Sequence, residues 1–414
     1  QFNQIGIEEA ASLGMNINFS VMDGFNDTRN IDVIKRGIVL GTNDIPTFVR
    51  DLRAGYVPSS PLRFMQVTLD QIYSPDKKLQ EKNLGELLER INYVGVNTVF
   101  VQGYSDPDGD GKTSSLYFPN RILPMKADLL NRVLHQIKTR TEAENAFAMM
   151  PLLSFVLPDA KETGASLNSG FGDGKLPLSP QKARSLSPFD PKTTETVLSI
   201  FEDLARTVHF AGVYFHESSD IRDFGPDAVQ AFKTTFNEEF PPETVNSKRL
   251  NKKWEKFTAE RLMMLSKKIS EAVLYYRPAA KFLRSMSADQ LSGAESEARF
   301  SQNYSDFLEA YDYVVLNASP SLNRNTGPAE WVKKISTLTG KHRHGTKKTL
   351  FTLQSFDLKT GTRVAPKDFF DYARLLYSTG IKHAGYTRGD LFKNQPPKDL
   401  IRRTFSLRSS PFYP

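Results

Sequence analysis

The sequence predicts an α/β chain in which a (β/α)8 TIM-like barrel occupies residues 61–414 and a small α/β segment, residues 1–60, precedes it. Three observations carry this expectation. Past Phe64, short β-rich segments alternate with longer stretches of helical periodicity, and the alternation repeats eight times. Eight βα units close a barrel, whereas an open doubly wound sheet usually has about five or six parallel strands. Segments such as 99–102 (VFVQ) and 212–215 (GVYF) are apolar on both faces, as suits strands covered by helices outside and packed by side chains inside.

In chain order, strands are expected at 64–69, 97–102, 146–154, 212–216, 281–286, 313–318, 349–355 and 382–386. Helices are expected between them at 79–93, 126–139, 193–208, 254–275, 307–310 with the preceding turn, 328–338 and 366–378. Residues 1–57 contain one helical pattern near 8–13, a strand at 16–21 and a second helix at 46–54. So short a piece has a thin core and reads as the end of a larger upstream unit. Pro58, Ser59, Ser60 and Pro61 form a linker. Residues 158–191, rich in Gly, Ser, Pro and Lys and without periodicity, form a βα loop far longer than usual. It is either a shaper of the substrate cleft or a disordered surface insertion.

A 39% hydrophobic, 24% charged composition is that of a soluble globular chain. No apolar run approaches the roughly 20 residues needed to cross a bilayer. The first residues lack the order of a signal peptide, so any export signal is expected outside this chain. The absence of cysteine excludes thiol catalysis, disulfides and cysteine-bound zinc. A net charge of +7 raises nucleic acid as a partner, with basic runs at Lys248–Lys256 and Lys341–Lys348. Trp254 is the single aromatic among them and neither run accompanies a reader motif, so both read as solvated surface and no nucleic-acid partner is expected.

Barrel enzymes carry their reacting groups just after the strand C-termini. The polar residues there are Gln102, Tyr104, Asp106, Asp108 and Asp110 after the second strand, His216 and Glu217 after the fourth, Gln354 after the seventh, and Tyr386 and Asp390 after the eighth. A carboxylate ending the fourth strand sits on the barrel axis, where partial desolvation raises its pKa toward use as a general acid, which singles out Glu217. The alternative is a structural glutamate paired with Arg or Lys. Asp106, Asp108, Asp110 and Gly111 have the spacing of the start of a calcium loop, but the twelfth position is Tyr117 rather than a bidentate glutamate. These acids are therefore expected to line a cleft, holding a cationic sugar or supplying a second carboxylate, with no metal and no cofactor. His342 and His344 lie among lysines and arginines and read as surface residues.

From about Arg63 onward the chain resembles the C-terminal domain of the bacterial poly-β-1,6-N-acetylglucosamine N-deacetylases, the PgaB family of biofilm exopolysaccharide proteins. The stretches that carry the resemblance are NTVFVQGYSDPDGDG at 97–111, LYFPNRILPMKADLLNRV at 116–133, LSPFDP at 186–191, FEDLA at 201–205, FAGVYFHE at 210–217, FSQNYSDFLEAYDY at 300–313 and KNQPPKDLIR at 393–402. LGMNINFSVMDG at 13–24 resembles a late strand of the family's deacetylase domain, so residues 1–60 are expected to be the end of that domain plus a linker. Its metal-binding Asp-His-His motif is not found in this sequence, and deacetylation is not expected from this chain alone.

The resemblance implies a glycoside-hydrolase-like domain that acts on partially deacetylated polymer in an acidic groove, in the periplasm or at the outer membrane, with an export apparatus as a possible partner. Where the family reads Phe-His-Asp-Asp after strand four, Phe215 and His216 match, Glu217 replaces the first Asp and Ser218 the second. Where it reads Val-Asp-Leu-Asp at strand one, Val67, Leu69 and Asp70 match while Thr68 replaces the first Asp. Met149 stands for an aromatic after strand three and Ser321 for a tyrosine after strand six. Two functions follow as expectations. One is endo-hydrolysis, with Glu217 as acid and Asp106, Asp108 or the substrate's own N-acetyl group assisting. The other is non-hydrolytic polysaccharide binding. In both, Asp70, Gln102, Tyr104, Asp110, His216, Gln354, Tyr386 and Asp390 are expected to contact the amino-sugar polymer.

Overall fold

The computed structural model describes residues 61–109, 111–157, 185–216, 223–239, 248–291, 303–318, 327–355, 363–387 and 389–410. The expected N-terminal segment 1–60 and residues 158–184 of the long loop lie outside them. Eight strands close into one parallel barrel in sequence order. They are β1 (Arg63–Thr68), β2 (Thr98–Gln102), β3 (Asn145–Met150), β4 (Gly212–Phe215), β5 (Lys281–Ser287), β6 (Tyr313–Ala318), β7 (Thr349–Leu353) and β8 (His383–Tyr386). Pairing of Phe64 with Gly385 and of Met65 with Tyr386 shuts the ring. All eight expected strands are present. β3 stops well short of its expected end because Pro151 follows Met150 and has no N–H to give the ladder.

Helices cover the outside, each set by its own terminal signals. Lys77–Val94 starts at Asp76, whose side chain accepts from Lys78 N at 2.9 Å, and ends on Gly95 at φ 67°, a left-handed conformation that glycine adopts without steric cost. Pro191–Thr207 starts at Asp190, which accepts from Lys192 N at 2.9 Å, with proline in its first turn. The helix expected at 126–139 begins only at Leu130. Leu116 bridges to Met125, and Lys126 N donates to Leu116 O at 2.8 Å, so tertiary pairing keeps this stretch out of the helix. Pro226–Phe236 and Lys398–Phe405 are additional helices, and the expected 254–275 helix is longer, Lys248–Tyr276.

Strand side chains alternate between two faces, and packing shows which face is which. Phe64, Phe100, Phe147, Tyr214, Leu283 and Leu350 fill the barrel interior, with Phe100 4.9 Å from both Phe64 and Tyr214 between ring centroids. Their neighbours Met65, Val99, Val101, Val213, Phe215 and Phe351 lie under the helices in the main core. At β8 the interior position is Gly385, where a Cβ would stand 2.5 Å from the Phe64 ring. Two residues further along, the axis turns polar on several strands, with Gln66, Ser285 and Thr352 buried above the aromatic floor, while Met149 and Val315 keep β3 and β6 apolar there.

Candidate functional site

The same alternation decides which sequence candidates reach the mouth of the barrel. Gln102 and His216 follow Phe100 and Tyr214 on the inner face, joined by Asn317 and Thr387 from β6 and β8. Thr68, Ser287 and Gln354 stand at the same end. None of these inward residues is an acid, a lysine or an arginine. The His216 ring packs edge-on against Tyr214 at 5.5 Å, and its backbone N donates to Met150 O at 2.9 Å. Gln66 Nε2, Thr352 Oγ1 and Gln354 Oε1 are buried without a hydrogen-bond partner, which leaves polar capacity directed along the axis.

Tyr386 is a correction to the expected set. It lies one residue from Gly385 and so faces outward: its ring stacks on Phe405 at 6.0 Å, and its hydroxyl reaches Met65 Sδ at 3.7 Å. Thr387, the next residue, occupies the inward position. Tyr104 is also buried, packed in the main core, while its carbonyl accepts from Gln102 Nε2 at 3.0 Å. Asp390 serves its own turn, bonded to Lys393 N at 3.0 Å and to Lys393 Nζ at 3.0 Å. Burial opposes its ionisation, but these contacts with Lys393 outweigh it and hold the carboxyl below its ordinary range. Glu217 and Asp110 lie outside the described residues, as do Ser218 and Ser321.

The acid best defined at the mouth is Asp70, just past β1. Its Oδ1 accepts from Ser105 Oγ at 2.7 Å and from Tyr117 OH at 2.8 Å. Its Oδ2 accepts from Asp106 N at 2.9 Å, from Thr68 Oγ1 at 3.2 Å and from Gln102 Nε2 at 3.5 Å. Lys126 Nζ stands 3.6 Å away and donates to Ser105 Oγ at 2.9 Å, over the rings of Tyr73 and Tyr117. Burial alone would raise the Asp70 pKa. The bonds from Asp106, Ser105 and Tyr117 and the charge of Lys126 outweigh burial and hold it below the usual carboxylate range.

Asp70 thereby grips the loop that carries the other expected acids. In that loop Gly109 and Gly111 adopt φ 69° and 79°, the left-handed turns that the Asp-Pro-Asp-Gly-Asp-Gly run anticipates. Asp106 is buried and its Oδ2 accepts from Gly111 N at 3.3 Å, whereas Asp108 is exposed. Ser105, Tyr117 and Lys126 were not among the sequence candidates. Nothing local marks them, since Tyr117 meets Asp70 from 47 positions away and Lys126 from 56 (126 − 70).

A family model described as hypothetical glycosyl hydrolase family 13 matches residues 66–387. The chain is 30% identical over 413 residues to the poly-beta-1,6-N-acetyl-D-glucosamine N-deacetylase of Escherichia coli (strain K12), covering 98% of this chain and 61% of that protein. It thus spans about three fifths of that relative's length. Among solved structures it is similar to the PgaB (BpsB) glycoside hydrolase domain from Bordetella bronchiseptica, at 30% identity and a TM-score of 0.76, over 84% of this chain and 100% of that one. A β-galactosidase from Rahnella sp. R3 shares the barrel at 12% identity, with a TM-score of 0.60 over 80% of this chain and 50% of that one, a likeness of fold alone.

Proposed function

The chain belongs to the hypothetical glycosyl hydrolase family 13 and is 30% identical to the glycoside hydrolase domain of PgaB from Bordetella bronchiseptica, and from that premise we propose that it cleaves partially deacetylated poly-β-1,6-N-acetylglucosamine, in endo fashion, across the barrel mouth. The observation that supports this most is the inward set Gln102, His216 and Gln354 at one end of the barrel. His216 faces the axis, and Glu217 follows it by one Cα step of about 3.8 Å. Glu217 lies outside the described residues, and its role as proton donor rests on its sequence position as the acid that follows the fourth strand. Amides, hydroxyls and an imidazole around the axis suit the hydroxyl and acetamido groups of a sugar.

In this mechanism Glu217 delivers the proton to the leaving oxygen as the bond to the anomeric carbon breaks. A second group stabilises the positive charge developing at that carbon. Asp108, exposed on its loop, and Asp110 are the carboxylate candidates, with the substrate's N-acetyl group as the third. Asp106 is less suited because its carboxylate already accepts from Gly111 N.

Non-hydrolytic binding of the same polymer is the second reading. It is favoured by the engagement of Asp70 within the protein and by Thr68 in place of an acid. In either case the kinship suggests a periplasmic or outer-membrane-associated chain that hands polymer to an export apparatus. Among the described residues no helix is long and apolar enough to cross a membrane. Incubation with β-1,6-linked glucosamine oligomers of defined acetylation, followed by mass spectrometry, separates the readings. Shortened internal products support hydrolysis, and intact oligomers that nevertheless bind support the binding module.

A further inference from the structure

Asp70 was expected to hold the sugar, yet its geometry suits another task. Two carboxylate oxygens offer about four lone-pair sites. Here five donors and one ammonium crowd them, and the side chain is 11% exposed. No acceptor capacity remains for a sugar ammonium. Three of the donors, Ser105 Oγ, Asp106 N and Tyr117 OH, belong to the segment that leaves β2 and returns past the acidic turn. The turn in its own right bonds back to Asp106, through Gly109 N at 3.3 Å to its carbonyl and Gly111 N at 3.3 Å to its carboxylate. Restraint therefore runs from the turn to Asp106, from Asp106 to Asp70, and from Asp70 into β1.

We propose that Asp70 is a positioning residue, touching no substrate, that fixes the loop after β2 at Ser105, Asp106, Gly109 and Gly111, with Lys126 as its counter-charge. The proposal rests on the hydrolase reading only for the use made of that turn. Asp70→Asn tests it sharply. An amide nitrogen in place of one oxygen would face donors that cannot all turn away, since the Asp106 N–H is fixed in the backbone and Lys126 has no acceptor to offer.

The experiment pairs amide hydrogen exchange with steady-state kinetics on partially deacetylated β-1,6-glucosamine oligomers, for the unmodified chain, Asp70→Asn and Tyr117→Phe. The expected result is exchange at least about tenfold faster at residues 106–111 in Asp70→Asn, with a smaller rise in Tyr117→Phe and no change in β2. Displacement of a reacting group by about 1 Å costs on the order of a hundredfold, so kcat should fall about that far while KM stays within about threefold. Unchanged exchange at 106–111 with a rise in KM alone would overturn the proposal and return Asp70 to the substrate contacts. Should Asp70→Asn not fold, Tyr117→Phe and Ser105→Ala each remove one donor and carry the same comparison. If the unmodified chain cleaves nothing, the hydrolase reading fails by itself, and the exchange data still decide whether Asp70 holds the turn.

Discussion

Acid should loosen the barrel seam at His383 before it disturbs the mouth. This imidazole lies buried at the start of β8, where its Nδ1 accepts from Leu62 N at 2.9 Å and its Nε2 reaches Lys347 O at 2.9 Å. A backbone N–H on one side and a carbonyl on the other require the neutral ring with its proton on Nε2. Burial, partly offset by the bond to Lys347 and reinforced by the charges of Arg63 and Lys382, lowers the pKa from 6.5 to about 4. The unfolded chain therefore binds a proton more readily, and stability falls as pH drops from 6.5 to about 4, levelling out below. That interval corresponds to about 3 kcal/mol in all, of which about 2 kcal/mol is lost by pH 5.

Asp70 shifts in the same direction but acts in a lower pH range. Its carboxylate is held below the ordinary range, so its contribution persists through this window and is lost only at lower pH. Urea unfolding of the unmodified chain and of His383→Gln at pH 7.5, 6, 5 and 4.5 isolates the effect. The variant should start about 1–2 kcal/mol less stable through the bond lost to Leu62 N, and then show a much flatter pH dependence. A variant that loses stability in parallel with the unmodified chain would refute the assignment.

Glu217→Gln should reduce cleavage of partially deacetylated oligomers by about a hundredfold to ten-thousandfold while preserving folding and oligomer affinity, read by product mass spectrometry and calorimetry; unchanged turnover would move the acid to the 106–110 loop. Tyr386→Phe should leave activity within about twofold, because the hydroxyl faces Met65 beneath the helices; a tenfold loss would mean that β8 presents its other face to the axis. Gly385→Ala should destabilise by about 3 kcal/mol, at the upper end of ordinary overpacking, since the added Cβ would lie 2.1 Å from Phe64 O. Urea midpoints unchanged from the unmodified chain would refute that closure.

The barrel was legible because its signal is repeated and local. Strands buried on both faces read as apolar runs between amphipathic helices, and the pairing of β1 with β8 follows once eight are counted. The mouth was legible where a polar residue ends a strand on the inner face, as at Gln102, His216 and Gln354. Tyr386 misled because position after a strand was weighed without its parity, and one residue of phase exchanges the axis for the helix layer. Asp70 stood out as an acid after a strand. Its saturation did not, because it depends on Tyr117 and Lys126 arriving from segments that sequence periodicity assigns to a loop and a helix.

The most direct measurement for the central claim is a crystal structure of the Glu217→Gln chain with a β-1,6-linked glucosamine oligomer of mixed acetylation. The oligomer is expected to lie over Gln102, His216 and Gln354, with the residue-217 amide about 2.6–3.2 Å from one glycosidic oxygen and Asp70 still bonded to Ser105, Asp106 and Tyr117. An oligomer bound on the helix layer or at the opposite rim, or one across the mouth with no glycosidic oxygen within reach of residue 217, would contradict it.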